Sequence, residues 1–343
     1  MTSGSPPRAA PGAAPGEAVT HRVVRTNGIE MRLDEAGEGP LVVLCHGFPE
    51  LSYSWRHQLP ALAAAGYHAV APDQRGYGGT TRPAAVEDYD IVHLTDDVLG
   101  LLDALGERQA VLVGHDWGAP VVWQLALRVP ERVRGVVGMS VPFLPRPERP
   151  PTELLKLMFG DTWFYMLYFQ EVGPADAELG RDPATTMRRF MCAISGDASL
   201  EDLMALAGPQ DGRGMLDRLP EPERLPGWLT QADLDHYTEA FTGTGYTGGL
   251  NWYRNLDRNW ALTAASAGAH VEVPALFVGG GRDPVLLARP PDEMERWVDD
   301  LRGVVIVPEA GHWIQQERPA EVNAALLEFL AGLDGPESTE GAT

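Results

Sequence analysis

The chain has 343 residues, of which 44% are hydrophobic, so it can bury a large core and is not a disordered protein. Its 27 basic and 48 acidic residues give a formal net charge of −21, which disfavours nucleic acid and anionic membranes as partners but not a small neutral ligand. Two cysteines, Cys45 and Cys192, are too few for a disulfide framework or a zinc site of their own, and we expect both to be small apolar residues of the core.

The two ends of the chain differ in composition from the rest. Residues 1–18 are rich in Pro, Ala and Gly and lack the apolar stretch of a signal peptide, and residues 333–343 are similar. No apolar run reaches the roughly 18 to 20 residues that cross a bilayer. We therefore predict flexible tails at residues 1–18 and 333–343, and a cytoplasmic protein that has no membrane partner.

The first predicted element is a hairpin that begins near Val19. Asn27-Gly28 separates its two strands and suits the positive φ angles of a type I′ turn. Short apolar runs then alternate with segments of helical periodicity. The predicted strands are residues 41–47, 68–73, 109–116 and 133–140, and the predicted helices are residues 94–106 and 117–128. Continuous apolar strands between helices predict a mostly parallel, doubly wound α/β sheet that is covered on both faces.

This alternation stops at residue 141 and resumes near residue 271. The intervening segment begins with a Pro-rich stretch, is dense in aromatic residues and has no comparable strand pattern. Beyond it, strands are predicted at residues 273–280 and 304–311, and helices at residues 291–301 and 320–330. We predict an α/β core domain at residues 19–140 and 271–332, interrupted by a helical cap domain at residues 141–270.

The sequence Gly114-His115-Asp116-Trp117-Gly118 lies where a predicted strand meets a predicted helix. Its glycines permit a tight strand–turn–helix corner that exposes Asp116 at the carboxyl end of the strand. The corner has the form of a nucleophile elbow with Asp in place of Ser. The simpler alternative is that Asp116 only caps the following helix.

An aspartate at the elbow predicts a different reaction from a serine. A carboxylate is already an anion at neutral pH, whereas a serine needs a base to become nucleophilic. Attack on an acyl carbon would give a mixed anhydride, but attack on a saturated carbon that bears a leaving group gives an ordinary ester that water can cleave. We therefore predict displacement of a halide or an epoxide oxygen at a saturated carbon.

Loops after two other strands contain candidate partners for the elbow. His46-Gly47-Phe48-Pro49 follows the first buried strand, and the backbone N–H groups of Phe48 and Trp117 are candidates for an oxyanion hole. His46 itself is expected to hold this loop rather than to act in catalysis. His312 follows the last strand and is the candidate general base for the water that cleaves the ester.

The residue that orients His312 is expected to be an acid near the end of a strand. Asp283 is the best candidate, because the order Asp116, Asp283, His312 matches the order of nucleophile, acid and His in this class of fold. Asp292 is a weaker alternative. Ser140 follows the preceding strand of the sheet, but it is not an acid, and this disfavours an acid at that position.

Four motifs together resemble the α/β-hydrolase superfamily and, more narrowly, its soluble epoxide hydrolases. The resemblance extends over roughly residues 20–330 and rests on HGFPE, DQRGYG, GHDWGA and GHWIQQERP. It implies an α/β-hydrolase fold with an inserted cap, and a hydrolase that opens epoxides to vicinal diols. The resemblance also implies that two cap tyrosines hold the epoxide oxygen, and the matching segments give Tyr165 and Tyr253 for these roles.

The chemistry of ring opening agrees with two phenols. An alkoxide leaving group is far more basic than a phenolate, so a tyrosine can hydrogen-bond and protonate it, whereas a halide needs only polar N–H donors. Trp117 is one such donor, but Phe48 stands where an Asn donor would serve a halide. Tyr168 is a neighbour of Tyr165 with a supporting role. We expect the substrate pocket to be lined by His46, Pro49, Trp117, Tyr168 and Trp313.

Two alternatives remain beside an epoxide hydrolase. A hydrolytic haloalkane dehalogenase would use the same aspartate, and a non-catalytic ligand-binding protein of this fold would use none of these residues for chemistry. The segment Asp73-Gln74-Arg75-Gly76-Tyr77-Gly78 has no G-x-G-x-x-G or phosphate-loop pattern and is expected to be a structural loop. We predict no cofactor and no metal. The expected partner is a small, apolar epoxide, and the chain is expected to be a monomer or a homodimer.

Overall fold

The structure is a computed structural model that describes residues 18–199 and 206–333. The predicted tails therefore lie outside the described residues, apart from Ala18 and Leu333. Within these ranges the strands are β1 (Thr20–Thr26), β2 (Ile29–Ala36), β3 (Leu41–Cys45), β4 (His68–Pro72), β5 (Ala110–His115), β6 (Val133–Met139), β7 (Thr162–Phe164), β8 (Ala207–Pro209), β9 (Ala275–Gly280) and β10 (Leu301–Val307).

The α-helices of the described residues lie between and after these strands along the chain. They are α1 (Gln58–Ala64), α2 (Ile91–Leu105), α3 (Gly118–Arg128), α4 (Pro151–Phe159), α5 (Tyr165–Tyr168), α6 (Pro174–Arg181), α7 (Pro183–Ala193), α8 (Gln231–Thr244), α9 (Thr247–Arg254), α10 (Leu256–Leu262), α11 (Pro284–Ala288), α12 (Ile314–Glu317) and α13 (Pro319–Leu333).

A single eight-stranded sheet forms the centre, in the order β1-β2-β4-β3-β5-β6-β9-β10. The β1–β2 and β2–β4 pairs are antiparallel, and the remaining pairs are parallel. The predicted mostly parallel α/β fold is confirmed. The predicted hairpin is also confirmed, since Asn27 and Gly28 have φ angles of 42° and 78° between β1 and β2.

The burial of the parallel strands explains why a continuous apolar pattern predicted them from the sequence. Every residue of β3, β5 and β9 is buried, because helices cover both faces of the sheet. The outermost strand β10 instead alternates between exposed and partly buried residues. It begins at residue 301 and ends at Val307 rather than spanning 304–311, because Pro308 has no backbone N–H to continue the ladder.

One predicted α-helix of the core is wrong, because the structure has a 3-10 helix and a strand there. Residues 291–301 were expected to be an α-helix, but the structure has a 3-10 helix at Pro291–Arg296 and then the start of β10. Two consecutive prolines, Pro290 and Pro291, precede this turn, and the chain reaches the sheet again within a few residues. The other predicted core elements differ from the observed bounds by a few residues at most.

The chain between β6 and β9, residues 141–270, leaves the sheet, and we call it the insertion. The two strands are neighbours in the sheet, so the insertion departs and returns at adjacent positions. It contains α4 to α10 and one feature that the sequence did not predict, a two-stranded antiparallel sheet of β7 and β8. Its helix α9 packs near the loops that follow β3 and β5, where the Tyr253 ring contacts the Phe48 and Trp117 rings.

Candidate active site

The turn between β5 and α3 projects Asp116 from the carboxyl end of the sheet. Asp116 has a φ angle of 50°, a left-handed conformation that is unusual for a residue with a side chain. Close packing requires the glycines on both sides of it. A Cβ atom on Gly114 would collide with the Gly118 carbonyl, and one on Gly118 would collide with the Cys45 carbonyl. The predicted elbow is therefore present in the structure.

Both oxygens of the Asp116 carboxylate face a potential donor. The Phe48 backbone N–H, in the loop after β3, donates to Oδ1 at 2.8 Å. Nε2 of His312 lies 3.6 Å from Oδ2. The Asp116 side chain keeps 14% exposure, so it is accessible without being surrounded by water. Trp117 is the residue before α3, and its ring lies against Tyr253.

Asp283 and His312 form a buried pair behind Asp116. Nδ1 of His312 lies 3.1 Å and 3.2 Å from the two carboxylate oxygens of Asp283. Burial alone would raise the pKa of Asp283, but the charge of His312 and its hydrogen bond hold that pKa below its usual value. Burial alone would lower the pKa of His312, but the charge of Asp283 and the contact with Asp116 raise it well above its usual value. Asp292 lies instead in the 3-10 helix at Pro291–Arg296.

Two tyrosines of the insertion lie near the elbow. The rings of Tyr165 and Tyr253 are 6.1 Å apart in an edge-to-face arrangement, and the Tyr253 ring is 5.1 Å from that of Trp117. Burial is the main cause that raises the pKa of both phenols, and the negative charge of Asp116 adds to it. Both phenols therefore keep their protons at neutral pH and can donate hydrogen bonds.

The structure separates the predicted pocket residues into two groups. Trp117 and Trp313 have rings close to Tyr253 and His312 respectively, with 4.7 Å between the Trp313 and His312 ring centres. The Tyr168 hydroxyl instead donates to the Glu178 carboxylate at 2.9 Å. The Tyr168 hydroxyl is thus engaged by a carboxylate of the insertion, whereas the Tyr165 ring lies against that of Tyr253.

His46 and Pro49 belong to the loop that carries Phe48. His46 is fully buried, and its Nε2 accepts the backbone N–H of Gln74 at 3.0 Å. Nδ1 of the same ring lies 2.9 Å from the Gly47 carbonyl. Both ring nitrogens are therefore engaged by the backbone, in keeping with a structural role for His46. Pro49 follows a cis peptide bond with Phe48.

Sequence reasoning missed a buried pair beneath the site, Glu50 and His115. The Glu50 carboxylate, which is fully buried, lies 2.6 Å from Nδ1 of His115 and accepts the Gly47 N–H at 3.0 Å. Nε2 of His115 lies 2.7 Å from the His312 carbonyl. Burial would raise the pKa of Glu50, but His115 and the Gly47 N–H lower it to about 2. Both ring nitrogens of His115 thus lie within hydrogen-bond distance of oxygen acceptors.

This pair ties together three parts of the site. It joins the loop that carries Phe48, the residue before Asp116, and the backbone of His312. The signals were present in the sequence as the Glu of HGFPE and the His of GHDWG. Nothing in the sequence alone showed that these two residues, 65 positions apart, would meet.

Two negative findings apply to residues 18–199 and 206–333. No cluster of three or more His, Cys, Asp or Glu side chains in this part of the chain has an arrangement that would hold a metal ion. No helix there combines the length and apolar character that crossing a bilayer requires.

Known proteins resemble this chain over most of its length. Residues 40–319 match the family model of the α/β hydrolase fold. A protein of Mycobacterium tuberculosis H37Rv named epoxide hydrolase A is 56% identical over 321 residues, which cover 92% of this chain and 99% of that protein. Epoxide hydrolase 3 of Siraitia grosvenorii is 42% identical, with 91% of this chain and 98% of that protein covered.

Solved structures give the same result. The crystal structure of epoxide hydrolase A from Mycobacterium thermoresistibile has a TM-score of 0.88 and 55% identity, and the match covers 92% of this chain and 99% of that one. An epoxide hydrolase from an endophytic Streptomyces has a TM-score of 0.89 and 44% identity, with coverages of 92% and 96%.

Proposed function

The chain belongs to the α/β-hydrolase fold family and, within it, to the epoxide hydrolases. From this premise we propose that it opens apolar epoxides to vicinal diols through a covalent ester on Asp116. The observation that carries the proposal is the convergence of one carboxylate, one buried His–Asp pair and two protonated phenols at the carboxyl ends of β5, β9 and β10. This set supplies a nucleophile, a base and an acid without any further group.

In the first step, an oxygen of Asp116 attacks one carbon of the epoxide. A carbon–oxygen bond forms to Asp116 as the ring carbon–oxygen bond breaks, and the ring oxygen takes the developing negative charge. Tyr165 and Tyr253 hydrogen-bond this oxygen, and one of them delivers a proton to it. Protonated donors are needed here, and the raised pKa of both phenols supplies them.

In the second step, water cleaves the ester at its carbonyl carbon. His312 removes a proton from the water, and Asp283 orients the imidazole through Nδ1. The backbone N–H groups of Phe48 and Trp117 stabilise the oxyanion that forms on the former Asp116 carbonyl. As the ester breaks, the proton on His312 passes to the departing alkoxide oxygen, and the second proton of the water restores the tyrosine that gave up its own. The diol leaves with the oxygen that Asp116 contributed, and the water oxygen stays in the carboxylate. The sum of both steps is epoxide plus water giving diol.

The first step prepares His312 for the second. In the resting site, the Asp116 carboxylate is one of the groups that raise the pKa of His312. Esterification makes the Asp116 side chain neutral, so this contribution is lost and His312 releases a proton more readily. The imidazole thus becomes a competent base when the ester exists, which is the stage at which a base is required.

The test of this mechanism is a single turnover in water labelled with ¹⁸O, with enzyme in excess over styrene oxide. We expect an unlabelled diol and one ¹⁸O atom in Asp116, which mass spectrometry of the digested protein detects. Incorporation of ¹⁸O into the first diol would mean direct attack by water and would contradict the ester. Release of halide from haloalkanes without diol formation from styrene oxide would select the dehalogenase alternative.

The two phenols lead to a separate prediction. Tyr165→Phe and Tyr253→Phe are each expected to slow ring opening by about 10²-fold, and the double variant is expected to abolish it, because no acid then stabilises the leaving oxygen. Rapid quenching followed by intact-protein mass spectrometry measures the rate of ester formation. Tyr89→Phe is the matched control, since Tyr89 is buried and donates to the Pro83 carbonyl at 2.7 Å. Unchanged ring opening in the double variant would remove the proposed role of the tyrosines.

A further inference from the structure

Three residues other than glycine have a left-handed backbone conformation in the described part of the chain, and two of them belong to the site. Asn27 forms the hairpin turn, Asp116 is the elbow residue, and the third is Ser140, with a φ angle of 67°. Such a conformation is costly for a residue with a side chain, and it persists where the surrounding structure enforces it. Its presence at Ser140 calls for a cause beyond the turn itself.

We infer that Ser140 is a fourth member of the hydrolytic site. It is a positioning residue that fixes the orientation of the His312 imidazole relative to the Asp283 carboxylate. The inference rests on the proposed function, because it concerns the step in which His312 activates water. It assigns no bond-making role to the serine hydroxyl.

The contacts of the Ser140 hydroxyl support this role. It is fully buried and donates to Oδ2 of Asp283. Its oxygen lies 2.9 Å from Nδ1 of His312, which is closer than either oxygen of Asp283 at 3.1 Å and 3.2 Å. The N–H of the imidazole is therefore shared between the serine and the acid. A single arrangement of hydrogens satisfies all these contacts, with Nδ1 donating and the hydroxyl donating onward.

The backbone holds Ser140 in this position from two sides. Ser140 follows β6 directly, and its N–H donates to the Val278 carbonyl of β9 at 3.0 Å. The next residue, Val141, turns back, and its N–H donates to the Met139 carbonyl at 2.8 Å. This turn sends the side chain toward Asp283 while the main chain leaves for the insertion. The strained φ angle is thus the means by which the hydroxyl reaches the pair.

The consequence for catalysis lies at the other ring nitrogen. Fixing Nδ1 with two acceptors sets the tilt of the imidazole, and the tilt sets where Nε2 points. Asp283 is itself held by the hydroxyl and by the Val285 N–H at 2.9 Å. Without the hydroxyl the ring keeps one partner and gains freedom to rotate, so water activation becomes less efficient while attack by Asp116 is unaffected.

The test separates the two chemical steps in Ser140→Ala. Ester formation with styrene oxide is expected to keep its rate within about twofold. Ester decay is expected to slow about 10- to 100-fold, the usual cost of a hydrogen bond to a charged group. Because the ester then accumulates, kcat and KM should fall together and kcat/KM should stay nearly constant. A general loss of structure would not produce this division between steps.

Two further variants make the result decisive. Ser140→Gly removes the same hydroxyl and accepts the positive φ angle without strain, so it should show the same slow decay even if Ser140→Ala folds poorly. Ser52→Ala is the matched control, because Ser52 is buried and donates to the Asp34 carboxylate at 2.6 Å, far along the chain from the His–Asp pair. Its ester decay is expected to match that of the unaltered protein.

The outcomes distinguish this inference from the proposed function. If the unaltered protein forms and resolves the ester but both Ser140 variants resolve it at the same rate, the positioning role is overturned and the mechanism stands. If ester formation slows as much as decay, the serine acts on the whole site and the inference also fails. If no ester forms in the unaltered protein, the proposed function fails and the inference with it.

Discussion

Replacing Asp116 with Asn is expected to lower epoxide turnover by at least about 10⁴-fold, because an amide is not a nucleophile toward an epoxide carbon. The variant should fold normally. Asn tolerates a left-handed backbone better than most residues, and its amide oxygen can keep the hydrogen bond from the Phe48 N–H. Loss of activity in a folded protein therefore reports on chemistry rather than on stability.

The activity of the Asp116→Asn variant is also expected to change with incubation time. An asparagine held beside His312 and the Phe48 N–H is open to hydrolysis by the same machinery that cleaves the ester, so activity should return slowly on incubation. Peptide mass spectrometry would show a gain of about one mass unit at position 116, the difference between an amide and an acid. Asp292→Asn is the control, since Asp292 lies outside the His–Asp pair, and it should retain activity. Full activity in freshly prepared Asp116→Asn protein would refute the covalent mechanism.

The second large effect is expected from His312→Gln. Asp116 can still attack the epoxide, but the ester that results has no base to activate water, so kcat should fall about 10³-fold or more. The ester should accumulate at close to one equivalent per chain. Intact mass should rise by the full mass of the epoxide, because ring opening expels nothing. With a haloalkane the gain would lack the halogen.

The pH dependence of the unaltered protein provides a check on the same residue. His312 must lose a proton to act as the base, and in the ester the charge of Asp283 still raises its pKa while the contribution of Asp116 is gone. Ester decay should therefore increase with pH through the pKa of His312 and then level off, whereas His312→Gln should show no such rise. A variant that lacks His312 and yet turns over without trapped ester would assign the base to another residue.

The fold was readable from the sequence wherever a local pattern was sufficient. Continuous apolar strands such as β3, β5 and β9 and the turn at Asn27-Gly28 identify themselves within a few residues. The bounds of the edge strand β10 and the 3-10 helix at Pro291–Arg296 could not be read in this way, because edge position and the course of a proline-rich turn depend on distant parts of the chain. The short strands β7 and β8 pair only with each other among the described residues, and no apolar run in the sequence predicts them.

The site residues likewise divide into those that a local sequence pattern predicts and those that only distant contacts bring together. Asp116, His312 and Asp283 could be predicted because each follows a strand of recognisable type, and the structure brings all three together. The contacts of Glu50 with His115 join residues from separate loops, so no spacing rule reveals them. The roles of all these residues remain proposals that the experiments above test.

The neighbouring positions of β6 and β9 in the sheet have an evolutionary consequence. Because the insertion departs and returns at adjacent strands, its length and sequence can change without shifting the register of the sheet that carries Asp116, Asp283 and His312. Selection for new substrates can therefore act on one segment of the gene while the residues proposed to form and cleave the ester are inherited unchanged. Exchanging this segment between relatives is accordingly a rational route to chimeric catalysts with altered selectivity.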